Sequence, residues 1–146
     1  MSDTQKPAFL ALTNELGLNP DDMPVSCPIP SDGSYGGAMG PSQFMPRTWW
    51  DDQTGTGYKL RVTKITGHNP PSPWDNLDAF SATALYAMDA MSSCRSIYQT
   101  LYSQEACAAA RYYAGGNWRK HMNGYGDKVA ARAEAFQRDI DILDVQ

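Results

Sequence analysis

Residues 34–49 limit what this chain can fold into more than any other stretch. In Ser34-Tyr35-Gly36-Gly37-Ala38-Met39-Gly40-Pro41-Ser42-Gln43-Phe44-Met45-Pro46-Arg47-Thr48-Trp49, three glycines and two prolines fall among three aromatic residues. Glycine permits backbone shapes and close approaches that a side chain forbids. Proline removes a backbone donor and pre-sets turns. The run therefore reads as a tight bend rather than a helix or a strand. A bend that brings a glutamine and several aromatics together reads as the wall of a ligand groove. The plainer reading is a Gly/Pro-rich loop without chemistry.

The chain has 146 residues, which suits one domain, and 42% of them are apolar, enough for a core. Its formal net charge is −4. No basic stripe runs through it, so nucleic acid is not an expected partner. Long-range attraction to an anionic cell wall is absent for the same reason. No run of about 18 apolar residues occurs, so no membrane span is expected.

Helical spacing and stop signals predict a mainly α domain with long loops. Pro7–Leu16 reads as a first helix with Gly17 as its stop. The proline-rich stretch 19–34 reads as loop, Ser42–Asp52 as a short helix, and Gly55–Pro73 as irregular or a short hairpin. Asp78 is expected to cap a helix to about Ser92, with Phe80, Met88 and Met91 on its apolar spacing. Shorter helices are expected at Ser96–Tyr102 and, capped by Ser103, up to Tyr113, before Gly115-Gly116. The last helix, about Gly126–Leu143, carries the stripe Val129, Ala133, Phe136, Ile140 and Leu143, read as core. Cys94 and Cys107 flank a helix-loop-helix, which leaves both a disulfide and buried free thiols open; Cys27 stays unpaired either way.

Glycosidic cleavage needs an acid to protonate the leaving oxygen. The chain has three glutamates. Glu105 reads as a helix-dipole partner and Glu134 as part of a solvated face. Glu15 ends an otherwise uncharged segment, and weakly polar surroundings favour a protonated carboxyl suited to general-acid work. From the residue alone, a surface glutamate at a helix end is the simpler reading.

The run from Ser34 to Trp49 resembles the signature of lytic murein transglycosylases, especially the membrane-bound B-type class. Gly37-Ala38-Met39-Gly40, Gln43-Phe44-Met45-Pro46 and Thr48-Trp49 fill its slots in register. Arg111-Tyr112-Tyr113-Ala114-Gly115 is similar to that family's Tyr-Asn-Ala-Gly element, with Tyr113 in the Asn slot. Trp74–Ala79 looks like its link into a central helix. The resemblance implies a lysozyme-like fold spanning 1–146 as a single domain. It implies Glu15, the one glutamate upstream of the motif, as acid and then base on the C6 hydroxyl of the muramyl ring. Cleavage of the MurNAc–GlcNAc β-1,4 bond then leaves a 1,6-anhydro end. It further implies that Ser34 orients that carboxylate, that Gln43 contacts substrate, and that Tyr112 faces the acid. Tyr35, Met39 and Phe44 are groove walls or core; Tyr113 has no settled role. Here Glu15 is followed by Leu16-Gly17, where the family often has Ser or Thr and then an aromatic.

Peptidoglycan glycan strands are the implied partner, in the periplasm or extracellular cell wall, within a larger envelope or virion assembly. The polar start Met1–Pro7 has no signal-like apolar region, which suggests an excised domain, a mature fragment or a phage protein. No cofactor or metal is expected: Asp51-Asp52-Gln53-Thr54-Gly55 lacks the alternating ligands and closing Glu of a calcium loop. The rival readings are a lysozyme hydrolysing the same bond and a catalytically inactive wall-binding or assembly domain.

Overall fold

A computed structural model describes residues 1–32, 34–50 and 57–144, with only the backbone of Asp32. It is mainly helical, with 67% of residues in helix and no strand among the described residues. The calcium-loop candidate at 51–55 lies outside them. Two compact units divide the chain, Met1–Leu85 and Tyr86–Gln146.

In the first unit, α1 (Lys6–Glu15) begins with Pro7 in its first turn, where a missing N–H costs nothing. It ends on Leu16, and Gly17 turns left-handed at φ +67°. Gly17 N–H then bonds the Asn14 carbonyl at 3.1 Å and Leu18 N–H bonds that of Thr13 at 2.8 Å, closing the helix end as the glycine predicts. Phe9, Leu12 and Thr13 form its buried face, and α1 packs on α2 (Pro46–Trp50). Fully burying a side chain such as Leu12 contributes roughly 1.5–3 kcal/mol.

The stretch expected to be irregular or a hairpin holds a helix, α3 (Lys59–Thr66), closed by Gly67 at φ +78°. Its short, β-branched sequence gives little periodicity; what fixes it is burial of Tyr58, Lys59 and Val62 on one side. Phe44 meets Trp49 and Tyr58 edge-on at 5.9 and 5.6 Å, and Phe9 meets Trp74 at 6.3 Å.

The long α4 (Asn76–Arg95) crosses the division between the units. Asp75, not Asp78, caps it: the Asp75 carboxylate accepts Asp78 N–H at 3.1 Å. Asp78 is instead buried, accepting Ser72 N–H at 2.8 Å and lying 3.0 Å from His68 Nδ1. The inward face of α4 is Ala79, Ala82, Ala90 and Cys94, while Phe80 and Met88 are exposed. Small residues won those positions because a neighbouring side chain or disulfide comes close: Ser42 Oγ, for example, donates to the Ala79 carbonyl at 3.0 Å.

The second unit is built on a Cys94–Cys107 disulfide between α4 and α5 (Leu101–Ala114). Ala90, Ala108, Ala110 and Trp118 surround it, with Tyr86, Met91, Tyr98 and Met122 alongside. The residues 96–100 form turns, not the expected short helix, and Thr100 rather than Ser103 caps α5, accepting Ser103 N–H at 3.2 Å. Gly115 ends α5 as expected; a 3-10 helix (Gly115–His121) and a π-helical turn (Met122–Gly126) lead into α6 (Asp127–Leu143). Only Ala130 of α6 is buried. The stripe read as core is therefore outside it: Phe136 is 66% exposed, Ile140 49% and Leu143 69%.

Candidate functional site

The motif region folds by pairing with itself. Met39 bridges both Val25 and Phe44, and Ile29 bridges Ser34. Met39 and Phe44 exchange backbone hydrogen bonds at 2.9 and 3.2 Å across the turn Gly40–Gln43. Two glycines of the motif are required by this geometry. Gly40 sits at φ +62°, and a Cβ there would overlap the Pro73 carbonyl oxygen. Gly36 sits at φ +69°, where a Cβ would lie 2.5 Å from the Ser26 carbonyl oxygen. The bend expected from composition is thus a built loop, closed against 23–28 and 72–74.

Gln43 is held at φ +55°, a left-handed shape uncommon without glycine. Its amide Nε2 donates to the Gly40 carbonyl at 2.7 Å, which helps hold that shape. Ser34 is exposed, and its hydroxyl accepts Gly36 N–H at 3.2 Å. Among the described residues, neither side chain hydrogen-bonds Glu15. Of the residues expected to be walls or core, Met39 and Phe44 are core, at 0% and 4% exposure, while Tyr35 is 73% exposed.

Glu15 is the last residue of α1, with its side chain one-third exposed. Its surroundings are not the weakly polar ones expected. Lys59 Nζ lies 2.8 Å from Oε1 and 2.6 Å from Oε2, so one ammonium engages both oxygens. That ammonium also sits 3.7 Å from the centre of the Trp50 ring, a cation–π contact. The Lys59 side chain is only 11% exposed. Sequence reading missed Lys59 and Trp50. A lysine between Tyr58 and Val62 on an otherwise apolar face was the available signal, since a buried ammonium needs a counter-charge.

Tyr112 and Tyr113 belong to the second unit. Tyr112 is half-buried and meets Tyr86 edge-on at 5.3 Å. Tyr113 stacks on Tyr125 at 4.4 Å with 17° between planes, and His121 meets it at 5.1 Å. Tyr113 is half exposed, so this ring cluster stands at the surface.

His68, Asp75 and Asp78 bring ligand-type atoms within 4.8 Å of one another. Both Asp78 oxygens already have partners and Asp75 caps α4, so the cluster is accounted for as the start of that helix. No described helix is long and apolar enough to cross a membrane. No family model, curated protein or solved structure matches this chain.

Proposed function

We propose that this chain is a peptidoglycan-cleaving domain of lysozyme-like fold, a lytic transglycosylase acting on glycan strands in the periplasm or cell wall. The observation that carries the reading is the motif from Ser34 to Trp49, which folds into one built loop in the same compact unit as Glu15. In this reading Glu15 gives its proton to the glycosidic oxygen as the MurNAc C1–O bond breaks. The substrate's N-acetyl group stabilises the electron-poor C1. The Glu15 carboxylate then takes the proton of the C6 hydroxyl while O6 closes onto C1, so no water is consumed. Gln43 and Ser34 would present polar groups beside the glycan, and exposed Tyr35 a ring face.

Lys59 adds a condition. Both Glu15 oxygens accept from its ammonium, so donation to a glycosidic oxygen requires the bridge to open. Trp50 offers the freed ammonium a remaining partner at 3.7 Å. The bridge equally favours a second reading, a non-catalytic wall-binding domain in which Glu15 and Lys59 tie α1 to α3.

Purified sacculi incubated with wild type and Glu15→Gln, followed by mass spectrometry of the soluble products, separate these readings. Anhydromuramyl products lighter by one water than hydrolysed ones, lost in the variant, are expected. Hydrolysed products would assign a lysozyme. Equal release by both proteins would remove Glu15 as the acid. No release, with sacculus binding retained, would favour the binding domain.

A further inference from the structure

The exposed stripe of α6 has the residue order of a helix that pairs with a copy of itself. Val129, Ala133, Phe136, Ile140 and Leu143 recur in alternating steps of four and three, the spacing of a coiled-coil seam. Beyond Ala130 nothing on the helix is buried, and almost every residue of 131–144 is exposed. A helical segment of that length is marginal in water without packing. The stripe therefore lacks the cover that would stabilise it.

We propose that the cover is α6 of a second copy, packed antiparallel about a twofold axis between Ala133 and Phe136. In that register Phe136 of each copy lies over Ala133 of the other, and Val129 lies against Ile140. Each layer then sets a large residue against a smaller one, so the seam fills without a gap. Charge selects the same arrangement. Arg132 and Asp139 occupy the same edge of the seam, and antiparallel pairing sets Arg132 of each copy beside Asp139 of the other. Parallel pairing would place Asp139 beside Asp144 of the second copy and stack Ala133 on Ala133, combining like charges with a gap. Within the Val129–Ile140 span the opposite edge carries Ala130 and Gln137, which are uncharged, and Ala130 is already buried in its own unit. The Val129–Ile140 span is about 17 Å long, so the contact belongs to the small, reversible class of interfaces.

Sedimentation velocity of the full chain, from about 10 μM to about 1 mM, tests this. Wild type is expected to shift from monomer to dimer across the series, and Phe136→Lys to stay monomeric with the helical circular-dichroism spectrum that wild type shows at the dilute, monomeric end. Arg132→Asp and Asp139→Arg are each expected to weaken dimerisation about three- to tenfold, and the two together to restore it. Wild type that is monomeric throughout overturns the proposal; if its 129–143 amides are also protected from exchange, another surface covers the stripe. A dimer that survives Phe136→Lys lies elsewhere on the chain. Single reversals without rescue in the double variant overturn the antiparallel register.

Discussion

The Glu15–Lys59 bridge makes an asymmetric prediction, because its partners differ in burial. Lys59 is 11% exposed at its side chain and Glu15 33%. Removing Glu15 by Glu15→Ala leaves an ammonium nearly buried, with the Trp50 ring 3.7 Å away as its remaining partner among the described residues. A fully buried pair broken this way costs about 3–5 kcal/mol. The exposed third of Glu15 means solvent already screens part of the interaction, which brings the expectation to about 2 kcal/mol. Lys59→Met acts the other way. It leaves a carboxylate at the end of α1 that can turn to water, and it keeps an unbranched chain whose sulfur packs on Trp50. Its cost should be about 1 kcal/mol or less. The double variant should resemble Lys59→Met alone, giving a coupling energy of about 2 kcal/mol. Guanidinium unfolding followed by tryptophan fluorescence measures these values, since Trp49, Trp50 and Trp74 all report on the first unit. Raising salt should shrink the coupling only in part, because the ammonium is mostly shielded. If Lys59→Met destabilises more than Glu15→Ala, or if the two effects simply add, the bridge does not hold α1 to α3 as argued.

Three further outcomes follow from single features. Gly40→Ala should destabilise the first unit by about 3 kcal/mol or more, since φ +62° and overlap with the Pro73 carbonyl act together, whereas Gly67→Ala, at φ +78° in open space, should cost only about 1 kcal/mol; thermal melts of the two variants compare them. Reduction of Cys94–Cys107, or its replacement by serines, should lower the stability of the second unit by about 3 kcal/mol, read from unfolding midpoints with and without reductant. Burial holds the Tyr86 phenol above its ordinary value of 10.0, with Arg111 opposing in part, so the unfolded chain releases this proton first as pH rises. The second unit should therefore lose stability from about pH 10 upward, and Tyr86→Phe should flatten that fall in alkaline denaturation curves.

The parts of this fold legible in the sequence were those set by local backbone chemistry. Gly17 and Gly115 end their helices because a left-handed residue must follow the last turn, and that demand is written in one residue. The bend at 36–43 was legible for the same reason, although the partner that makes glycine obligatory at Gly40, the Pro73 carbonyl, lies 33 residues away and left no local mark. The candidate acid was implied by the family resemblance, as the one glutamate upstream of the motif, while its lysine was not. Glu15 and Lys59 meet across 44 residues of sequence, joining the end of α1 to the start of α3, and α3 itself was not visible because eight residues with four β-branched side chains carry little helical signal.

Apolar periodicity failed in a more instructive way, since it gives the face of a helix that needs cover but not the body that provides it. On α4 the large residues Phe80 and Met88 turned outward, and alanines with Cys94 took the inner face, because a disulfide and a nearby side chain demanded closeness rather than bulk. On α6 the stripe is real and its period regular, yet the chain's own second unit uses only Ala130. A stripe whose charges at Arg132 and Asp139 are matched for an inverted copy, and mismatched for a parallel one, carries information that a core-facing helix has no need of. Solvent-facing positions beside a buried seam can hold any charge; beside an intermolecular seam their order is constrained. The arrangement of charge along α6, more than its hydrophobicity, is therefore what distinguishes a surface for a second copy from a misread core.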